Sequence, residues 1–503
     1  MAYSRTTKAG ILALGSFLAS IAGMVTTAVI ARMLTTKEDY GTYRQTLLAY
    51  TFAAPFLALG LPQALFYFLP GSEKRSRSVL ATNLALLAMM GVVFSLLLLL
   101  GGNRLLAWQF NNARLAMTLL ILVPFPIFML PASALDACLV ARSRVKLVAA
   151  YQIINCVGMM TMVTGACLVW RTPASALTGA VIWSAVSGIV ALKLMLMSCP
   201  EGRFWPERAE IWAQVKYSVP LGVAGMLGTA TMALDKIVVS SMCTTAQFAV
   251  YTNGAIELPL VGIVTGSVTS VLVPEMARFW KEGKPEEALG IWKRSAVKCS
   301  LIMFPTMCLL LVMAPEFITL LWGSQYEQSV VPFRFYLLVL PVRIVFYGAA
   351  LMAAGRGKVI LTRTAIGLVL NLLLSVVLVR ALNSYLGAII AVIITMYGFA
   401  VVYNLVFIGK AYKTKFRHTL PFGELGKVML ASIAACAVLL PKFLVSWPQG
   451  APGQVLQLGI FFPLYGMAVL LLLSAFGFVN ITSMYQMART ALDRALGIEP
   501  REA

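Results

Sequence analysis

The chain has 503 residues, of which 60% are hydrophobic and only 12% charged. That charged share is about half of what a soluble domain carries, which excludes a water-exposed globule. The net charge of +21, from 40 Lys and Arg against 19 Asp and Glu, would point to nucleic acid in a soluble protein; in a chain this apolar it is first a matter of membrane topology, and no nucleic-acid partner is expected.

The apolar residues fall in runs that can cross a hydrocarbon core about 30 Å thick. Every backbone N–H and C=O must be paired within the segment there, so the runs predict helices, and the alternating pattern of a transmembrane barrel is absent. The first run follows Arg5 and Lys8 and continues to about Ala31. That is too long for the apolar part of a signal peptide, so it is read as an uncleaved first helix. In chain order the predicted spans are 9–31, 46–69, 78–101, 115–140, 148–170, 174–197, 217–241, 248–273, 298–315, 333–353, 360–379, 386–408, 427–446 and 455–477. The fold class is therefore an all-α integral membrane protein of about 14 helices, with both termini on one side.

Lys and Arg are distributed unevenly over the connections and the span ends that flank them. The side holding the N-terminus carries 29 and the other side 9, with Lys236 and Arg343 inside spans. The alternation holds to the last connection, which places both termini in the cytoplasm. Basic loops such as Lys74-Arg75-Ser76-Arg77 and Lys410 to Arg417 are explained by topology and anionic lipid. Two longer cytoplasmic connections, from Phe204 to Tyr217 and from Glu275 to Lys298, mix charge with Trp205, Trp212, Trp280 and Trp292. They are expected at the interface, with the indoles among headgroups.

The 8 Cys have no metal-pair or C-x-x-C spacing, and His418 is the single histidine. No metal, disulfide framework or cofactor is expected. A G-x-x-x-x-G-K-[ST] phosphate loop is also absent, so the chain does not hydrolyse ATP by that device.

A weak repeat is visible. Thr35-Thr36 leads through Tyr40 to Tyr43 after span 1, and Thr244-Thr245 leads through Phe248 to Tyr251 after span 7. Leu177-Thr178-Gly179-Ala180 opens span 6 and Leu386-Gly387-Ala388 opens span 12. The chain is divided accordingly into a six-helix half at 1–200, a second at 201–410, and two added helices with a tail at 411–503. Repeated halves are a transporter signature, with the binding site between them.

Charge inside a span costs roughly 2.5–3.5 kcal/mol on insertion scales, so such residues face a partner or a watery cavity. At 100° per residue, Lys236 shares one face of span 7 with Gly222, Gly225 and Thr229. A cavity wall and a tightly packed interface both fit that face. Tyr336, Leu340, Arg343 and Tyr347 share a face of span 10. Phenol and guanidinium there suit sugar and phosphate; snorkelling or an ion pair is the other reading. The candidate substrate contacts are thus Lys236, Arg343, Tyr336 and Tyr347. Asp235, Glu257 and Asp136 are the candidates for a coupling proton or Na⁺, or for structural ion pairs. Ser16, Ser20, Gly23 and Thr27 line one face of span 1, for packing or for a cavity, and Arg32 at its end is read as snorkelling.

Ordered motifs carry a family resemblance over about residues 5–410. They are Ala31-Arg32-Met33-Leu34 with Glu38-Asp39-Tyr40-Gly41-Thr42-Tyr43, then Gly60-Leu61-Pro62-Gln63-Ala64 through Tyr67-Phe68-Leu69-Pro70. Leu234-Asp235-Lys236 with Tyr251, Gly355-Arg356-Gly357-Lys358, Asn371 and Leu386-Gly387-Ala388 follow. Together they resemble the polysaccharide transporters, the oligosaccharide flippases of the multidrug/oligosaccharidyl-lipid/polysaccharide superfamily. Fourteen helices fit that branch better than the drug-exporting one, which usually has twelve. The resemblance implies a non-enzymatic flippase in the bacterial inner membrane that turns over a glycan linked to polyprenyl phosphate or diphosphate. Membrane lipids, and glycan polymerases or glycosyltransferases, would be its partners. An ion-coupled exporter of drugs or small molecules is the alternative, with Asp235 and Glu257 as its working residues. Short outer loops argue against a polymerase or ligase, and the intramembrane charges against a scaffold.

Overall fold

The computed structural model describes residues 5–479 apart from Ser72, Pro206 and Gln449. Among them there are helices and no strands. Thirteen helices are long and apolar enough to cross a membrane, and a bent pair supplies a fourteenth. We number them α1 (Leu14–Met33), α2 (Lys37–Phe68), α3 (Ser76–Gln109), α4 (Arg114–Ile121 with Phe125–Ala141, bent by 55°), α5 (Val145–Trp170), α6 (Pro173–Ser198) and α7 (Arg208–Met242). The rest are α8 (Pro259–Lys281), α9 (Pro285–Val312), α10 (Ser324–Ala353), α11 (Gly357–Leu382), α12 (Leu386–Ala411), α13 (Phe422–Leu444) and α14 (Ala451–Ala475). Each answers to one predicted span.

Two compact units emerge. The first comprises Met1–Ser267, Leu321–Tyr336 and Gly355–Asn404; the second comprises Val268–Leu320, Leu337–Ala354 and Leu405–Ala503. In the first, α1 packs on α5, α5 on α6, α3 and α6 on α4, and α7 on both α2 and α11. In the second, α9 packs on α13, and α13 on α14.

Span 8 is not one helix. A short helix, Thr245–Gly254, ends before α8 begins at Pro259. Pro259 has no N–H to give the Ala255 carbonyl, and its ring disfavours helical backbone at Leu258, so residues 255–258 leave the helix. The short helix is well started: Thr244 and Gln247 form a reciprocal capping box. It packs on the start of α2, which brings the two repeat-related motifs together. Any side chain at Gly41 would collide with the Thr245 carbonyl, and Tyr40 Oη donates to Asn253 Oδ1 at 2.8 Å.

Buried polar bonds fix the same end of the first unit. Asn112 Nδ2 donates to Gln45 Oε1 at 2.7 Å, and Gln45 Nε2 donates to Ser240 Oγ at 3.0 Å. The Thr46 and Thr118 hydroxyls share a hydrogen bond of 2.7 Å. These bonds join α2, α4 and α7 where no water competes. At the opposite end of α7, Glu210 accepts from Ser78, and Gln214 Nε2 donates to the Val79 carbonyl at 2.9 Å.

The indole environments divide. Trp205 and Trp212 are exposed, as expected for headgroup contact. Trp292 is fully buried instead, because α9 starts at Pro285 and carries it into the core of the second unit, where Nε1 donates to the Phe346 carbonyl at 3.0 Å.

Candidate functional site

The first unit holds an open cavity of about 520 Å³. One wall is α1, through Ser20, Gly23, Met24 and Thr27. The small-residue face of that helix is thus a cavity wall. Ser20 Oγ donates to the Ser16 carbonyl at 2.8 Å, and Thr27 Oγ1 to the Met24 carbonyl at 2.9 Å. With their protons committed to the helix, both hydroxyls offer lone pairs to an occupant. A Cβ added at Gly23 would meet nothing within 4 Å.

Facing charges are supplied by α2 and α7. Arg44 on α2 and Lys236 on α7 both line the cavity and are half-buried. The Arg44 guanidinium sits 5.9 Å from the centre of the Tyr40 ring, so Tyr40 orients it. Lys236 makes no hydrogen bond or salt bridge among the described residues. The non-helical stretch Ala255–Leu258 lines another side, with Glu257 on it, and Thr252, Pro259, Gly262 and Trp322 also border the cavity.

Lys236 and Glu257, of the residues singled out from sequence, meet in this cavity. Gly222, expected on the face of Lys236, serves packing: any side chain there would strike the Leu59 backbone. Asp235 points away into the core, only 5% exposed, and accepts a 2.7 Å hydrogen bond from Tyr251 Oη. Tyr336 packs against the same apolar cluster as Tyr251. Asp136 accepts from Gln152 Nε2 at 2.8 Å and bridges α4 to α5; the Ser16 hydroxyl continues the link to α1 at 3.4 Å.

Arg343 and Tyr347 belong to the second unit. The single face expected for Tyr336, Leu340, Arg343 and Tyr347 is interrupted, because α10 leaves the helix at 338–339 and again at 344–346. Pro341 removes one helical donor, and the Phe346 carbonyl is taken by Trp292. Tyr347 is buried edge-on against Trp292, ring centres 6.3 Å apart, and Arg343 is half-buried.

The sequence profile of the family described as "Polysaccharide biosynthesis protein" matches residues 29–331, more than half of the chain and all of the cavity wall beyond α1's first part. The chain belongs to this family. No curated protein matches the sequence. Among solved structures, a lipid II flippase MurJ in an inward closed conformation aligns with a TM-score of 0.73 at 14% identity, covering 92% of this chain and 99% of that one. A multidrug resistance MATE family transporter of the MOP superfamily, inward-facing, aligns with a TM-score of 0.61 at 13% identity, covering 79% and 96%. A MOP superfamily transporter from Pyrococcus furiosus gives 0.57 at 13%, covering 80% and 95%. At these identities the likeness is one of fold, and it bears out the membrane bundle read from the apolar runs.

Three site features escaped sequence reasoning. Arg44 falls in an outer connection by hydropathy, although its spacing of four from Tyr40 on a helix is a visible signal. The break at 255–258 was announced by Pro259. Trp322 sat in a connection with no periodicity to place it.

Proposed function

We propose that this member of the polysaccharide biosynthesis family is a flippase. It moves a lipid-linked oligosaccharide or polysaccharide precursor, a glycan joined to polyprenyl phosphate or diphosphate, across the bacterial inner membrane. The observation that carries this reading is the cavity's charge: Arg44 and Lys236 line it against one acid, Glu257, and Lys236 has no acidic partner among the described residues. A half-buried ammonium is costly unless an anion meets it, and a phosphate or diphosphate linkage is such an anion. The α1 hydroxyls supply acceptors for sugar hydroxyls.

Transport in this reading is alternating access, with residues 1–200 rocking against 201–410, helices 13 and 14 added at 411–503, and both termini in the cytoplasm. Arg343 is proposed as a second phosphate contact, with Tyr336 and Tyr347 as sugar contacts. Asp235, Glu257 and Asp136 are the proposed sites of a coupling ion. Glycan polymerases and glycosyltransferases are the expected protein partners.

A cation-exporting MOP transporter is the second reading, favoured by Glu257 in the cavity wall. The two cations beside it work against a cationic cargo. Reconstitution in proteoliposomes tests both. A polyprenyl-diphosphate oligosaccharide placed in the membrane becomes accessible to an impermeant glycosidase on the far side if the protein flips it. Extrusion of a lipophilic cation with no glycan turnover would replace the flippase with the exporter.

A further inference from the structure

The end of α12 and the connection after it form an open pocket of about 410 Å³. It lies wholly in the second unit, and nothing about it depends on the flippase reading. Its apolar side is Leu405 and Val406 of α12 with Phe416 of the short helix Phe416–Thr419. Lys410, in the last turn of α12, and Lys413 and Lys415 beyond it border the same pocket, and no acid does among the described residues. The connection is a folded cap. Lys413 takes φ +52°, and the Thr414 N–H donates to the Gly409 carbonyl at 2.9 Å, the six-to-one bond of a Schellman end. Buried Tyr412 anchors the cap by donating its hydroxyl to the Ala350 carbonyl at 3.0 Å, and Thr419 Oγ1 donates to the Lys415 carbonyl at 3.2 Å. Three exposed lysines thus stand on an ordered backbone.

Topology asks for positive charge on this side of the membrane, but it does not ask for a pocket. Other basic connections occupy their cations: Arg75 lies 3.7 Å from Glu210, Arg77 lies 5.7 Å from the centre of the Phe204 ring, and Lys284 lies 3.7 Å from Glu282. Lys410, Lys413 and Lys415 have no salt bridge among the described residues. The C-terminus of a helix carries about half a negative charge, so three lysines leave a surplus of about +2.5. Like charges gathered without a counter-charge repel, and an anion in the pocket relieves them. The occupant must also suit the apolar side. Val406 lies about 7–8 Å deeper along α12 than Ala411, its last residue, at the helical rise per residue. A free phosphate meets the lysines and leaves Val406 and Phe416 bare. The headgroup of an anionic phospholipid, with its glycerol and first acyl carbons, meets both.

We propose that this pocket binds one anionic phospholipid, its phosphate held by Lys410, Lys413 and Lys415 and its glycerol and upper acyl chain lying on Val406 and Phe416. The diffuse attraction of a basic loop for an anionic surface selects no particular molecule; this site takes one and saturates. The lipid comes from the leaflet that the Lys and Arg distribution assigns to the cytoplasm. Bound there, it holds the connection between α12 and α13 at headgroup level.

The test titrates phosphatidylglycerol, phosphatidylcholine and inorganic diphosphate into the full-length protein, stripped of lipid in an uncharged detergent, and counts bound molecules by native mass spectrometry. Phosphatidylglycerol should fill one site that phosphatidylcholine does not. One lysine at a lipid surface is worth about fivefold, so Lys413→Gln should weaken that site about fivefold, and glutamine at 410, 413 and 415 together about a hundredfold. Phe416→Ser should weaken phosphatidylglycerol and leave diphosphate unchanged. Arg75→Gln, on a different basic connection, should change nothing. Should the triple variant fail to fold, the single Lys413→Gln gives the answer. Lipid binding by the folded triple variant, or by Lys413→Gln in its place, within twofold of the unaltered protein overturns the proposal. An equal loss in Arg75→Gln, or equal binding of phosphatidylcholine, overturns it as well, since the attraction is then diffuse. Diphosphate binding as tightly as the lipid, with Phe416→Ser indifferent to both, makes this a site for free phosphate and rules out the lipid.

Discussion

Replacing Lys236 with Gln removes one positive charge from the cavity wall and leaves the side chain nearly as long. The magnitude follows from Coulomb's law. An ammonium about 5 Å from a phosphate charge, at an effective dielectric constant between about 20 and 40 for a half-buried site, contributes about 2–3 kcal/mol. That converts to a loss of roughly 30- to 150-fold in affinity. Because the group is half-buried, part of the interaction is screened, and the loss should shrink as ionic strength rises past the point where the Debye length is about 8 Å. The assay is a titration of polyprenyl diphosphate into the protein in nanodiscs at two salt concentrations, followed by complementation of a strain lacking the gene. Lys236→Arg should keep most of the affinity, since a single point charge and not a bidentate fork is what Lys provides. Binding by Lys236→Gln within twofold of the unaltered protein, at both salt concentrations, would refute the assignment of this cation to the substrate.

Three further outcomes are expected. Gly23→Leu should fold, since a Cβ there meets nothing within 4 Å, but should cut transport by filling the cavity; full turnover in the proteoliposome assay would show that the cargo does not enter there. If Asp235 or Glu257 binds the driving ion, Asp235→Asn or Glu257→Gln should abolish the dependence of transport on an imposed gradient, and normal gradient dependence in both variants would retire ion coupling through them. Reporter fusions after Ala113 and Gln325 should report the outside, and fusions after Arg77 and Lys415 the cytoplasm; a cytoplasmic signal at both of the first two would reverse the orientation.

The helix inventory was legible because length and hydropathy decide it. Each predicted span has its helix in the structure, and the errors fall where a local rule competes with hydropathy. Span 8 reads as a continuous apolar run, but Pro259 withdraws a backbone donor and interrupts it; in span 10 the kink that Pro332 and Pro341 allow becomes a break on either side of Leu340–Arg343. The site was legible only in part. A helical wheel places Lys236 on a face with Gly222, yet the wheel says nothing of what lies opposite: Gly222 meets the Leu59 backbone while Lys236 meets the cavity. Asp235, its neighbour, turns into the core to Tyr251. Tyr251 stands out in the sequence only by its place in a repeat, and its bond to Asp235 depends on two helices meeting at a turn, which no periodicity encodes. The stripe on span 10 failed for the complementary reason, since a wheel presumes an unbroken helix.

The break at residues 255–258 ties these particulars to the function. In hydrocarbon a helix cannot drop its backbone bonds without partners, so an interrupted span must face protein or a hydrated cavity at the break. Here it faces the cavity, with Ala255, Ile256, Glu257 and Leu258 all in its wall. The same interruption ends the short helix that docks on α2 through Gly41 and Tyr40, and Tyr40 carries the ring over which Arg44 sits. One proline therefore sets the position of an acid, while the repeat-related motif packed beside it sets the position of a cation. A cargo that bonds to Arg44 and Lys236 together would pull on α2, on α7 and on the docked short helix at once. All three elements lie in the first unit; in the proposed rocking of residues 1–200 against 201–410, cargo binding would act through their contacts. A cavity of this charge placed inside one half would bind its anion as well and would have no mechanical hold on the other.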